Sequence, residues 1–245
     1  MDAMSDHVLP TVAGAESGFP SVPADTHHTS AGTPYLREPG VHVVSRPQVS
    51  LESLRGFLSG FASELGFQAY LEDPTELPPG AQLCKMAGQL CYASFGPRRT
   101  WNDQAARYFH NIKESGHGSV LEHAAYSLLF YGVSRSVTHE LIRHRAGFGY
   151  SQLSQRYVSG RVLRFVERPE YAGDPELHAL FEARIDRAAR EYEEMAERLL
   201  ARQKAGTEIL SAEERTDLRK KVQQAARSLL PNETEAPIIA TGNAR

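Results

Sequence analysis

Two polar clusters carry the residues best suited to chemistry: Glu140-Leu141-Ile142-Arg143-His144-Arg145, and Ser151-Gln152-Leu153-Ser154-Gln155-Arg156-Tyr157. Residues three apart on a helix share a face, so Glu140 and Arg143 are expected to be neighbours. A carboxylate beside a guanidinium keeps both charged and fixes the arginine fork. That fork could grip a planar, anionic or carbonyl-bearing ligand through two donors at once. His144, Arg145 and Arg156 add donors within 13 residues of Arg143. The Gln amides and Ser hydroxyls of the second cluster both give and accept hydrogen bonds. They suit a uracil edge, which shows a carbonyl, an N–H and another carbonyl. Residue types alone leave two readings open: a phosphate or nucleotide site, and a solvated surface with an ordinary ion pair.

Other chemistries fit less well. Ser154 lies in no G-x-S-x-G elbow, so a hydrolytic nucleophile is not expected. His139 and His144 are five apart, roughly 140° round a helix, and point different ways. No H-E-x-x-H is present, and no metal is expected at His117, His123, His139 or His144. His123, beside an apolar run, reads as a core histidine. His117, between Gly116 and Gly118, reads as open to a ligand. Neither a G-x-G-x-x-G nor a G-x-x-x-x-G-K-[ST] loop occurs, so neither a Rossmann dinucleotide site nor a P-loop is expected.

These clusters need elements to position them. Val41 to Val44 reads as a strand. Helices are expected at about 50–65, capped by Ser50, at about 80–92, and from an Asn102 cap to Glu114. Gly116-His117-Gly118-Ser119 breaks that helix, and Ser119 with Glu122 has the spacing of a capping box. Residues 124–133 read as a strand, 134–145 as a helix ended by Gly147 and Gly149, 151–156 as a short helix or turn, and 162–166 as a strand. Two long helices follow at about 175–204 and 212–229. Their apolar stripes are Leu177, Phe181, Ile185, Ala188 and Leu218, Val222, Ala225, Leu229. Ile238 to Ala240 could close a sheet. The class is α/β, a mixed sheet packed with helices.

The chain has 245 residues, 41% hydrophobic and 23% charged, which suits one soluble domain with a sizeable core. Residues 1–40 hold five of the 14 prolines, four glycines, two aromatics, five acids and one base. They are expected to be a disordered tail, leaving a domain over 41–245. Net charge is −3, so the remainder is nearly neutral, and nucleic acid is not an expected partner. The apolar run Tyr126–Tyr131 is too short for a bilayer, and no secretory signal is visible. Cys84 and Cys91 are seven apart and read as one core-facing helix stripe. A cytoplasmic location is the expectation.

Several blocks together resemble the flavin-dependent thymidylate synthases. They are Gly116 to His123, Gly132 to Arg135, Thr138 to Arg145, Tyr150 to Val158, Leu230 to Glu235, and Thr241-Gly242-Asn243-Ala244-Arg245. The resemblance covers roughly residues 80–245. It implies a methyltransferase that is a homotetramer of α/β subunits, with active sites between subunits. It implies FAD, with NADPH as reductant, 5,10-methylenetetrahydrofolate as carbon donor and dUMP as substrate. By resemblance Arg143, His117 and Ser154 are catalytic-site residues, with Ser154 binding substrate rather than forming a covalent bond. Glu140, Arg143, Gln152, Leu153, Ser154, Gln155, Arg156 and Arg227 would meet dUMP. Ser119, Arg143, His144, Arg145, Gln152, Asn243 and Arg245 would meet FAD. Two departures stand out. Eight residues, 146–153, separate Arg145 from Ser154. That is one more than the family pattern, and a loop at Gly147 and Gly149 is expected to absorb it. The family also continues past Arg245 through an Arg-His-Phe helix and a further dUMP-binding arginine, so the resemblance implies a C-terminally truncated chain. Methylation of another uracil nucleotide such as UMP, a non-catalytic flavin- or nucleotide-binding fragment, and a plain scaffold remain as alternatives.

Overall fold

A computed structural model describes residues 22–158, 162–204 and 212–245. The class is mixed α/β, as expected. A three-stranded sheet has the order β1 (Thr26–His28), β2 (Pro34–Leu36), β6 (Phe165–Val166), with β2 and β6 parallel. A four-stranded antiparallel sheet has the order β3 (Gly40–Ser45), β4 (Ala125–Tyr131), β7 (Ile238–Asn243), β5 (Gly149–Gln152). Among the described residues, no helix is long and apolar enough to cross a membrane.

The first correction concerns the N-terminal segment. Residues 26–36 are not a disordered tail. Tyr35 and Leu36 are 3% and 1% exposed, and Tyr35 packs with Phe165, Phe181 and Ile185. Composition could not reveal this, because the partner strand lies about 130 residues away (Tyr35 opposite Phe165). Residues 1–21 lie outside the described residues.

The helices follow their caps and stripes. Helix α1 (Leu51–Leu58) is shorter than expected, and Ser50 caps it by accepting from Ser53 N. Helix α2 spans Pro79–Cys91 and α3 spans Ala105–Glu114. Asn102 does not cap α3: its side chain turns inward to Lys85, Gln82 and the Thr75 carbonyl. Cys84 is buried but Cys91, at the end of α2, is exposed. His123 is exposed, not a core histidine. Helix α4 (Arg135–Leu141) is capped by Ser134 and ends four residues earlier than expected. Helix α5 (Pro169–Ala172) is a single turn. Helix α6 runs Pro175–Lys204, with Phe181 and Ile185 buried but Leu177 41% exposed. Helix α7 (Ala212–Ala226) buries Val222 and Ala226 rather than Ala225, and a 3-10 turn, Arg227–Leu229, completes it. The stretch expected as a helix or turn at 151–156 begins instead as strand β5.

Candidate active site

The register of the four-stranded sheet decides which polar residues can meet. Asn243 lies opposite Ala125, and Thr241 opposite Gly149. Ala125 closely follows the Gly118–His123 3-10 turn, and Gly149 closely follows the loop that leaves Arg143-His144-Arg145. One end of the sheet therefore gathers three segments far apart in sequence. The contacts agree. Arg245 forms an ion pair with Glu122 of that turn, and its backbone N donates to Asn243 Oδ1 at 3.1 Å. Gly118 lies against the Arg245 side chain, and Gly147 against the Asn243 amide. Gly147 has φ of +75°, a conformation that glycine adopts without strain. That turn lies within the segment 146–153 that separates Arg145 from Ser154.

Arg143 follows the end of α4. Its Nη2 lies 3.0 Å from His139 Nε2 and 3.7 Å from Glu140 Oε1, and its Nε donates to the His139 carbonyl at 3.3 Å. The Glu140–Arg143 pairing is as expected, but His139 is the nearer partner. That contact was readable as an i,i+4 spacing. Arg143 remains 62% exposed, so the ion pair orients the fork more than it stabilises the fold. His144 and Arg145 are exposed, and the His144 carbonyl accepts from Tyr150 Oη at 3.0 Å. Phe148 stacks on Tyr150 with centroids 5.8 Å apart and 6° between planes. Together they wall an apolar cleft of about 260 Å³ with Tyr126, Leu141 and Asn243. His117 and Ser119 are both exposed, on the turn beside Arg245. Ser119 and Glu122 form no capping box: no side chain caps that turn, and Glu122 is engaged by Arg245.

The second cluster lies elsewhere. Strand β5 runs from Gly149, opposite Thr241, to Gln152, opposite Ile238, and Leu153 N then donates to the Pro237 carbonyl at 2.9 Å. At about 3.3 Å per residue, Ser154 emerges more than roughly 10 Å from the Asn243 end. Ser154 Oγ accepts from Arg156 N at 3.2 Å. Among the described residues no histidine or carboxylate is hydrogen-bonded to it. Arg156 lies over the Tyr157 ring at 5.2 Å, and Lys220 of α7 approaches the same ring at 5.8 Å. Arg227 lies on the 3-10 turn that ends α7. Gln152 turns its amide nitrogen to Thr138 Oγ1 at 2.7 Å. One subunit thus brings His117, Ser119, Arg143, His144, Arg145, Asn243 and Arg245 to one sheet end. Gln152, Leu153, Ser154, Gln155 and Arg156 leave by the other.

The donor set at the first end fits an anionic, aromatic cofactor. It offers guanidiniums, an imidazole, an amide and a hydroxyl, while Glu122 and Glu140 are each matched by an arginine. A pyrophosphate suits such a set.

The profile of the family described as thymidylate synthase complementing protein matches residues 75–245. A flavin-dependent thymidylate synthase of Mycolicibacterium gilvum (strain PYR-GCK) is 45% identical over 176 residues, 71% of this chain and 67% of that protein. The one from Mycobacterium sp. (strain JLS) is 46% identical over 175 residues, 70% of this chain and 66% of that protein. The chain therefore spans about two thirds of the length of these relatives. Among solved structures, the UMP/dUMP methylase PolB from Streptomyces cacaoi, bound with 5-Br dUMP, aligns with a TM-score of 0.50 at 18% identity. The alignment covers 85% of this chain and 74% of that one, and it speaks to the fold. With a matched profile over most of its length and relatives near 45% identity, the chain belongs to the flavin-dependent thymidylate synthase family.

Proposed function

We propose that this chain carries the methylation of dUMP to dTMP, with FAD as cofactor, 5,10-methylenetetrahydrofolate as carbon donor and NADPH as reductant. One observation supports it most. Arg143-His144-Arg145, Asn243, Arg245 and the Gly118-Ser119 turn converge although they lie up to about 130 residues apart. In this reading Ser119, Arg143, His144, Arg145, Gln152, Asn243 and Arg245 hold FAD, with His117 lining the site. Glu140, Arg143, Gln152, Leu153, Ser154, Gln155, Arg156 and Arg227 hold dUMP.

Methylation at carbon 5 requires the pyrimidine to act as a nucleophile, so electron density rises in its ring. Arg143, already oriented by His139 and Glu140, offers fixed positive charge where that density builds. When bound, the flavin supplies the reducing equivalents and mediates one-carbon transfer. The chain's own task is to hold the two rings together and to exclude water. No cysteine nucleophile is needed in this scheme, and burial pushes the Cys84 thiol up, away from thiolate.

The separation of the two clusters within one subunit supports an assembly in which copies complete each other's sites, a homotetramer. Two free cysteines are compatible with work in the cytoplasm.

The test is direct. Purified protein reconstituted with FAD should show oxidised-flavin absorption that dUMP perturbs. With NADPH and the folate donor it should release tritium from [5-³H]dUMP. Perturbation by UMP and not by dUMP would transfer the reading to the ribonucleotide. No flavin uptake by the assembled protein would overturn it.

A further inference from the structure

Thr138 is fully buried, at 0% exposure, on α4. A buried hydroxyl needs partners. It has two: Oγ1 donates to the Arg135 carbonyl at 3.2 Å and accepts from Gln152 Nε2 at 2.7 Å. The second bond crosses from α4 to β5. Among the described residues, backbone bonds to other elements anchor the start of α4: Arg135 N to the Thr234 carbonyl at 2.9 Å, and Ser136 N to the Asn232 carbonyl at 3.3 Å. The other end, which leads into Arg143, is held by side chains. Strand β5 is held by its ladder to β7, and Ser154 follows it by two residues.

The Thr138–Gln152 bond thus joins the helix that delivers Arg143 directly to the strand that delivers Ser154, Gln155 and Arg156, while Tyr150 Oη of the same strand holds the His144 carbonyl beyond the helix end. Each motif half is fixed to its own scaffold, and this bond sets one scaffold against the other. We propose that Thr138 is a positioning residue for the reaction proposed above: by holding Gln152 it fixes the geometry of the Arg143 and Ser154 segments without touching a ligand. This inference rests on that functional reading. Small displacements matter there, since about 1 Å at a reacting centre can cost on the order of 10²-fold.

The experiment compares Thr138→Val, which keeps shape and loses the hydroxyl, with Thr138→Ser, which keeps the hydroxyl. Full-length variants are reconstituted with FAD. Flavin content, the melting temperature, and the dUMP dissociation constant from the flavin spectrum are measured. Thr138→Val should keep its flavin and weaken dUMP by about tenfold, the equivalent of about 1.4 kcal/mol. Thr138→Ser should stay within about threefold of wild type. Wild-type dUMP affinity in Thr138→Val would overturn the proposal. So would equal losses in both variants, which would mark a packing role alone.

Should Thr138→Val not fold, Gln152→Leu removes the donor from the more accessible side. Its loss should be matched, not exceeded, by the double variant Thr138→Ala/Gln152→Leu, although Thr138→Ala alone also weakens dUMP binding. Additive losses would show that the two residues act separately and would refute the joint. If the wild-type protein itself bound neither FAD nor dUMP, the enzymatic reading would fall first, and that result is distinct from every variant outcome.

Discussion

Lys85 Nζ donates to Asn102 Oδ1 across 3.0 Å, and both residues are shut from solvent, at 0% and 6% exposure. Asn102 spends its amide on the Thr75 carbonyl and Gln82 Oε1, and its backbone N on Asp73 Oδ2. Two cations, Lys85 and Arg99, lean on the single carboxylate of Asp73, which lies 3.8 Å from Arg99. Neither cation gains much from that sharing, and burial pulls Lys85 down to about 8.

That shift sets a pH dependence. The unfolded lysine titrates near 10.4. Between about pH 8 and 10 the unfolded chain binds the proton that folded Lys85 has shed, so stability rises with pH. Urea unfolding at pH 7 and pH 9.5 should show a gain on the order of 1–2 kcal/mol in wild type over Lys85→Met. Above pH 10 the sign reverses through Tyr70, whose hydroxyl burial pushes up to about 12, because the unfolded tyrosine ionises first. An equal response in both proteins would exclude Lys85 as the titrating group.

Arg143→Ala should raise the dUMP dissociation constant at least about tenfold and nearly abolish tritium release, because a charge-assisted fork is lost. The melting temperature should move little, since the side chain is 62% exposed. Near-normal turnover would remove Arg143 from the site.

Ser154→Ala should lower activity without abolishing it. Its hydroxyl has no base hydrogen-bonded to it among the described residues and accepts from Arg156 N. Complete loss of turnover with intact dUMP binding, or a substrate covalently trapped on Ser154, would contradict a purely substrate-binding serine.

Gly132 and Gly56 make a contrasting pair. A Cβ on Gly132 would meet the Glu38 carbonyl oxygen at 2.4 Å and Pro39 Cα at 2.9 Å, and φ is +64°. Gly132→Ala should destabilise by about 2–4 kcal/mol. A Cβ on Gly56, within α1, meets nothing within 4 Å. Gly56→Ala should stabilise by up to about 1 kcal/mol. Thermal melts of the two variants shifting in the same direction would contradict this.

Tyr35→Ala should cost about 3–5 kcal/mol, as large core deletions do. Deleting residues 1–40 should cost more, because Leu36 and the β2–β6 pairing go with it. An unchanged melt after that deletion would show that the segment packs only loosely.

Local pattern explains what was readable. Helix α6 was visible over its observed span because thirty residues repeat one apolar stripe. The Glu140–Arg143 contact was visible because helical spacing dictates it. Strands β1 and β2 were not, since three residues each carry almost no periodicity and gain order only from distant partners. Asn102 had the look of a cap, but the buried Lys85 offered its side chain a stronger use. Convergence of the site's segments follows from the β4–β7–β5 register, which local pattern does not encode. The bond from Gln152 to Thr138 was hidden for the same reason: it crosses a turn between two elements.

Strand β7 lies between β4 and β5, yet its residues, 238–243, are made more than 85 positions after either neighbour. On the ribosome, β4 and β5 must wait unjoined, each with an open edge, while α6 and α7 are synthesised. Only when Thr241 emerges can the two halves zip together. Nascent chains stalled before that point should therefore be the form that chaperones and proteases find most accessible.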